Sequence, residues 1–428
     1  MSRIGHRAWL TAVAFALSLS AAGCAGGGDQ ATDASYSRPS ATSSPAATAA
    51  PAPEPLMPQG TGAPFEDLRT AASHMPMTAA ALAAGIAEGA MIEGDSASPA
   101  AELRSSLTAL LTEHVYLSGI TVATAYATAP NSAEFQAAAA ALDKNSVAVA
   151  DAVAAVVPDQ RDTFLDAWRA HIGDFVSYAV ATKGGDDEAK AKEVADLAAY
   201  TRSQGAFFEQ ITGGELPAAA VTASLDEHVA TLAAAVDSLA AGDPRAYDLL
   251  KTAGDHIAMS AGALAGGIVA ATKAEGDPAD AAAALRAGLT SQLVSHVYLA
   301  GAAVFAAYTA GAESADFDAA AAALDENSTE IAAGIGSIAP DQEMTFLEQW
   351  RSHISDFVDY ALAAAGSDEA GKQEQLDDLN AYRASAGQFF SDVTGGALAA
   401  ADVTEALGHH AETLAGAIDS FSGALVDQ

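Results

Sequence analysis

The feature that most constrains what this 428-residue chain can fold into is that it aligns with itself, without a gap, at a shift of 182 residues. Glu113-His114-Val115-Tyr116-Leu117 meets Ser295-His296-Val297-Tyr298-Leu299, and Pro158-Asp159-Gln160 meets Pro340-Asp341-Gln342. Trp168-Arg169-Ala170-His171-Ile172 meets Trp350-Arg351-Ser352-His353-Ile354, and Thr212-Gly213-Gly214 meets Thr394-Gly395-Gly396. The copies fill residues 65–246 and 247–428. A period this long is that of a duplicated domain, not of a solenoid of small repeats.

Inside the first copy, apolar residues recur at helical spacing over 65–93, 99–128, 131–156, 159–182, 186–212 and 217–241. Short breaks separate these segments, among them Pro130-Asn131, Gly184-Gly185 and Gly242-Asp243-Pro244. Much of the apolar half of the chain is alanine, a strong helix former and a weak strand former. Breaks this short favour antiparallel neighbours. The sequence therefore predicts an all-α fold of two tandem up-and-down helical bundles.

Residues 1–23 have the layout of a signal peptide: Arg3 and Arg7, an apolar run from Trp9 to Leu19, then Ala21-Ala22-Gly23. The run is too short to span a bilayer as a stable helix. Small residues directly before Cys24, the lone cysteine, resemble a bacterial lipobox. Cys24 is thus expected to be lipidated and to anchor the chain on the outer face of a bacterial membrane, in the cell envelope. Residues 24–64 are rich in Ala, Ser, Thr, Pro and Gly and read as the anchor and a disordered linker. Acidic residues number 55 against 19 basic ones, a net charge of −36 that repels phosphate backbones and argues against nucleic-acid binding.

The histidines carry the functional signal. There are ten, and eight form four pairs at the 182-residue offset: His74/His256, His114/His296, His171/His353 and His228/His410. His6 lies in the signal peptide and His409 stands alone. His114, His171, His228 and His256 each fall near the middle of a different predicted helix, so in an antiparallel bundle they reach one height. His114 to His171 and His171 to His228 are both 57 residues, one helical hairpin per step. Four inward imidazoles would then converge on one layer, where they need hydrogen-bond partners or a metal. Met77 and Met259 follow His74 and His256 by three residues, on the same helix face. Imidazole with thioether suits copper, particularly Cu(I). Zinc, iron and a haem held by two histidines are the alternatives.

Trp168/Trp350, Phe175/Phe357 and Tyr178/Tyr360 read as packing beside the site, Asp174/Asp356 as helix-face carboxylates or imidazole-orienting groups, and Arg169/Arg351 as partners of neighbouring acids. No phosphate-binding glycine loop, HExxH motif or Cys-x-x-Cys-His motif occurs, and no Glu-x-x-His pair includes these histidines. Nothing supplies a nucleophile with its base, so an enzyme is not expected.

At Glu113-His114-Val115, Trp168-Arg169-Ala170-His171-Ile172, Asp226-Glu227-His228-Val229 and His256-Ile257-Ala258-Met259 the chain resembles a loose group of exported, all-helical bacterial proteins. The resemblance implies a module that begins with the His114 helix and ends with the His256–Met259 helix. The chain then divides into a signal peptide (1–23), an anchor and linker (24–64), an N-terminal helix (65–98), module 1 (99–276) and module 2 (277–428). Module 2 lacks a last helix. The N-terminal helix would fill that place and bring His74 to His296, His353 and His410 instead of to His228. The expected function is metal sequestration or delivery in the envelope, each module using four histidines and one methionine. A haem-binding lipoprotein and a structural or adhesive surface protein without metal are the alternatives.

Overall fold

The computed structural model describes residues 54–426, and thirteen α-helices make up nearly all of them. The signal peptide and Cys24 lie outside the described residues. The first six helices after the N-terminal pair are α3 (Pro99–Ala127), α4 (Ala133–Ala154), α5 (Arg161–Gly184), α6 (Asp187–Ile211), α7 (Ala218–Ala241) and α8 (Ala246–Thr272). They are followed by α9 (Ala281–Ala310), α10 (Ala315–Ile338), α11 (Glu343–Ala365), α12 (Glu369–Val393) and α13 (Ala400–Leu425). Among the described residues there is no strand.

Local chemistry explains the boundaries. Ser98, Ser132 and Ser314 cap α3, α4 and α10 by accepting from the backbone N–H three residues on, and Asp186 and Asp368 do the same for α6 and α12. Gly185 and Gly242 take left-handed conformations at the ends of α5 and α7, which closes each helix and turns the chain back.

The expected N-terminal helix is two: α1 (Pro64–Ser73) and α2 (Met75–Ala90), with His74 between them. Pro76 is the cause. It has no N–H to donate to Ala72, and its ring excludes that carbonyl. The linker also ends earlier than composition suggests. Residues 55–63 run along α13, where the Met57 and Gln59 amides donate to Glu412 and the Gly62 amide donates to Ser420. Leu56 is buried there, and the backbone of Gln59 and Gly60 lies so close to Gly416 that a Cβ at position 416 would overlap it.

Consecutive helices pack antiparallel in each half, and α3 and α9 lie side by side at the centre. These two run parallel, since Glu102 meets Arg286, Ser105 meets Thr290 and Tyr116 stacks on Tyr298 (5.9 Å, 5° between ring planes). Positions 182 residues apart make reciprocal contacts across this centre. The Ala100 amide donates to the Glu275 carbonyl and the Ala282 amide to the Glu93 carbonyl. Leu250 lies over Gly119 as Leu68 lies over Gly301. The halves are therefore arranged about an approximate twofold axis, and one apolar core runs through both, so they are not separate bodies. α9 is long and apolar enough to cross a membrane, but most of that stretch is buried within the protein.

α1 and α2 pack on α9, and α1 packs on α13, the places that α8 takes against α3 and α7. Ion pairs cross between the halves, among them Arg69 of α1 with Glu113 of α3, Lys144 of α4 with Glu66 of α1, Arg286 of α9 with Glu102 of α3, and buried Lys251 of α8 with Glu330 of α10.

Candidate metal centres

Each half gathers three histidines from three helices. In the first, α3 supplies His114, α5 His171 and α7 His228, with ring centroids 5.4 Å and 5.8 Å from His114. In the second, α9 supplies His296, α11 His353 and α13 His410, with the corresponding distances 5.3 Å and 5.8 Å. All six are buried. The convergence follows from helix geometry: mid-helix residues of antiparallel neighbours share a height, and each faces the bundle axis.

The second triad is the tighter one, with one ring nitrogen of each histidine within 4.8 Å of the others. His353 Nε2 and His296 Nε2 are 3.4 Å apart. Two nitrogens bound to one ion at 2.0–2.1 Å lie about 3.3–3.6 Å from each other, so this separation fits a shared ion. Several nitrogens have no protein partner: both of His114, and Nδ1 of His228, His296 and His410. Buried polar atoms are normally paired, so the rings have capacity for a partner from outside the chain, although an ion at the Nε2 pair would leave Nδ1 of His296 unpaired.

Burial keeps the imidazoles neutral, the form that binds metal. It holds His171 and His296 at about 3 and His228 and His410 at about 4, with neighbouring imidazoles adding to the effect. It pushes His114 and His353 well below the usual histidine value.

Aromatic rings close around each triad. Trp168 and Trp350 meet His171 and His353 edge-on at 4.8 Å and 4.6 Å. Tyr200 of α6 stacks on His171 at 4.4 Å, and Tyr382 of α12 on His353 at 4.6 Å. The histidine pattern does not reveal these tyrosines, yet they too are 182 residues apart, a signal that would have found them. Phe175 and Phe357 flank His228 and His410. Apolar cavities of about 30 and 40 Å³ adjoin the second triad, the first against His296, the second against His296 and His410.

The fourth histidine of each expected set lies outside the triad. His256 stands beside His228, but its Nε2 is 3.1 Å from the Ser224 carbonyl and its Nδ1 4.0 Å from Glu227. His74, at the α1–α2 break, meets His409 with ring centroids 3.8 Å apart and lies close enough to His410 to depress its protonation. It is grouped with His410, not His228. Met77 and Met259 are not brought to the triads: they are 67% and 60% exposed, on helix faces turned to solvent. Three residues beyond a partly exposed histidine, they follow it outward, not inward.

The remaining residues take structural places. Arg169 and Arg351 form two-pronged pairs with Asp143 and Asp325. Tyr178 and Tyr360 donate to Asp237 and Asp419. Asp174 gathers with Glu193 and Asp196, and burial and acidic neighbours raise its carboxyl.

Fold and site together define a class: an all-helical protein with a buried imidazole triad in each half of one core. Comparison with protein-family models, with curated proteins and with solved structures finds no match to this chain.

Proposed function

We propose that this is a lipid-anchored envelope protein that holds one transition-metal ion in each half, copper as Cu(I) before other metals, for sequestration or delivery. The observation that carries the reading is the convergence of three buried, neutral imidazoles in each half, with the 3.4 Å nitrogen pair and the unpartnered nitrogens. Copper rests on charge as well as on ligand type. The titratable neighbours that shift the triad histidines are other imidazoles. A divalent ion with three neutral ligands keeps its full charge in an apolar site, which costs more than a monovalent one. Three imidazoles suit Cu(I) without the methionines. A bare ion is favoured over haem because the cavities beside the second triad, about 30 and 40 Å³, are far smaller than a macrocycle. The anchor rests on Ala21-Ala22-Gly23-Cys24.

Metal analysis of the chain lacking residues 1–23, after anaerobic loading with Cu(I), Zn(II) and Fe(II) in turn, tests the reading. Two Cu(I) per chain, resistant to a competing chelator, is the expected result. No bound metal under any loading would overturn it in favour of a structural role.

A further inference from the structure

The histidines left outside the triads are not scattered. Each half carries one near the triad member of α7 or α13: His256 near His228 and His74 near His410. Both are partly exposed, whereas the triads are sealed. The halves differ at one position. Where the first has Glu227 facing His256, the second has His409, the histidine without a counterpart, facing His74. His256 is tied to the Ser224 carbonyl, while His74 Nε2 has no partner. His409 is followed directly by His410 of the triad.

An ion bound for a sealed core must shed water before it enters, and imidazoles can replace that water stepwise. We propose that His74 and His409 form an outer two-imidazole site, at the α1–α2 break, that takes up Cu(I) and passes it through His410 to the second triad. The inference rests on the metal-binding reading above. His74 and His409 hold the ion first, and His410 belongs to both coordination sets, so transfer exchanges ligands with no redox change and no free ion. Met77 is exposed one turn beyond His74. The first half has one tethered imidazole and a carboxylate in the same place, so its triad fills more slowly.

The test is the rate at which the full mature chain takes Cu(I) from its bicinchoninate complex, followed by loss of that complex's colour. The wild type should show a fast and a slow phase of equal amplitude, two ions in total. His74→Gln with His409→Gln should slow the fast phase at least tenfold and leave two ions bound at equilibrium. His409→Glu, which places the first half's residue in the second, should slow it similarly, and far-UV circular dichroism would show both variants folded. Unchanged phases would overturn the outer site while leaving the triads intact. A fall to one ion would overturn it differently, by making His74 and His409 ligands of the stored ion. If the wild type takes up no Cu(I), the underlying reading has failed.

Discussion

A buried polar atom left without a hydrogen bond costs on the order of 1–3 kcal/mol, and His114 carries two such nitrogens. Such atoms call for a partner outside the chain, an ion at one nitrogen of the ring and water at the other. Each triad is complete within its own half, so His171→Ala should halve metal content, from two ions per chain to one, and adding His353→Ala should abolish it. Metal analysis of the purified variants checks this, and two ions in the double variant would reject the site. Acid should act on the metal-free chain in a defined direction. Unfolded histidine binds a proton near 6.5, whereas folded His228 and His410 do so only at about 4. Between those values the unfolded chain holds more protons, so the contribution of these two residues falls as pH drops through 6.5 toward 4, and His171 and His296, held at about 3, carry the decline further. Each of these two residues contributes a loss of roughly 3 kcal/mol over that window. Urea melts at stepped pH should show the decline, and His228→Gln should make it shallower by that residue's share. The triad members were legible because their spacing of one helical hairpin, repeated in both copies, fixes height and face together. His74 and His256 share the height but not the exit direction of the ring, which depends on the α1–α2 break and on the Ser224 carbonyl. Linear spacing carries neither.

At the scale of elements, helix periods and breaks predicted most of the helices to within a few residues. The exceptions are instructive. Residues 65–93 keep an apolar period straight through Pro76, so the period alone reads one helix where the missing N–H makes two. Residues 55–63 have no period, yet they are placed, because Gly416 leaves α13 bare enough for backbone to lie on it. Composition reports what a segment can bury by itself, not what a neighbouring groove accepts. Gly416→Ala puts a methyl group where the backbone of Gln59 and Gly60 lies. The expected loss is about 1–3 kcal/mol, together with faster proteolysis near residue 57. Proteolysis at the wild-type rate would show that this segment does not hold α13.

For the whole molecule, the repeat told what each half is but not how the halves meet. The same period of 182 residues is compatible with two independent bundles on a tether and with one body about an axis. What decides is on the surfaces of α3 and α9. Tyr116, Tyr298, Val115, Val297, Leu117 and Leu299 are all buried, so both sides of each helix are covered, and a separate bundle would leave one side in water. Crossing ion pairs then tie helices of one half to the other, Lys251 to Glu330 and Arg69 to Glu113. With α1 and α2 seated on α9 and α13, the N-terminal segment closes the second half. Neither half can unfold without exposing the apolar flank of its neighbour, so thermal unfolding of the metal-free chain should be one cooperative transition. Its calorimetric and van't Hoff enthalpies should agree to a ratio near ~1, against about 2 for two independent bundles. Lys251→Met leaves Asp255 and Glu330 facing each other without the cation. Because both carboxylates keep contact with water, the loss should be about 1–3 kcal/mol. It should move the whole transition downward, not split off a first step. Two resolved transitions in the wild type, or a variant that melts one half early, would show that the shared core does not couple the halves.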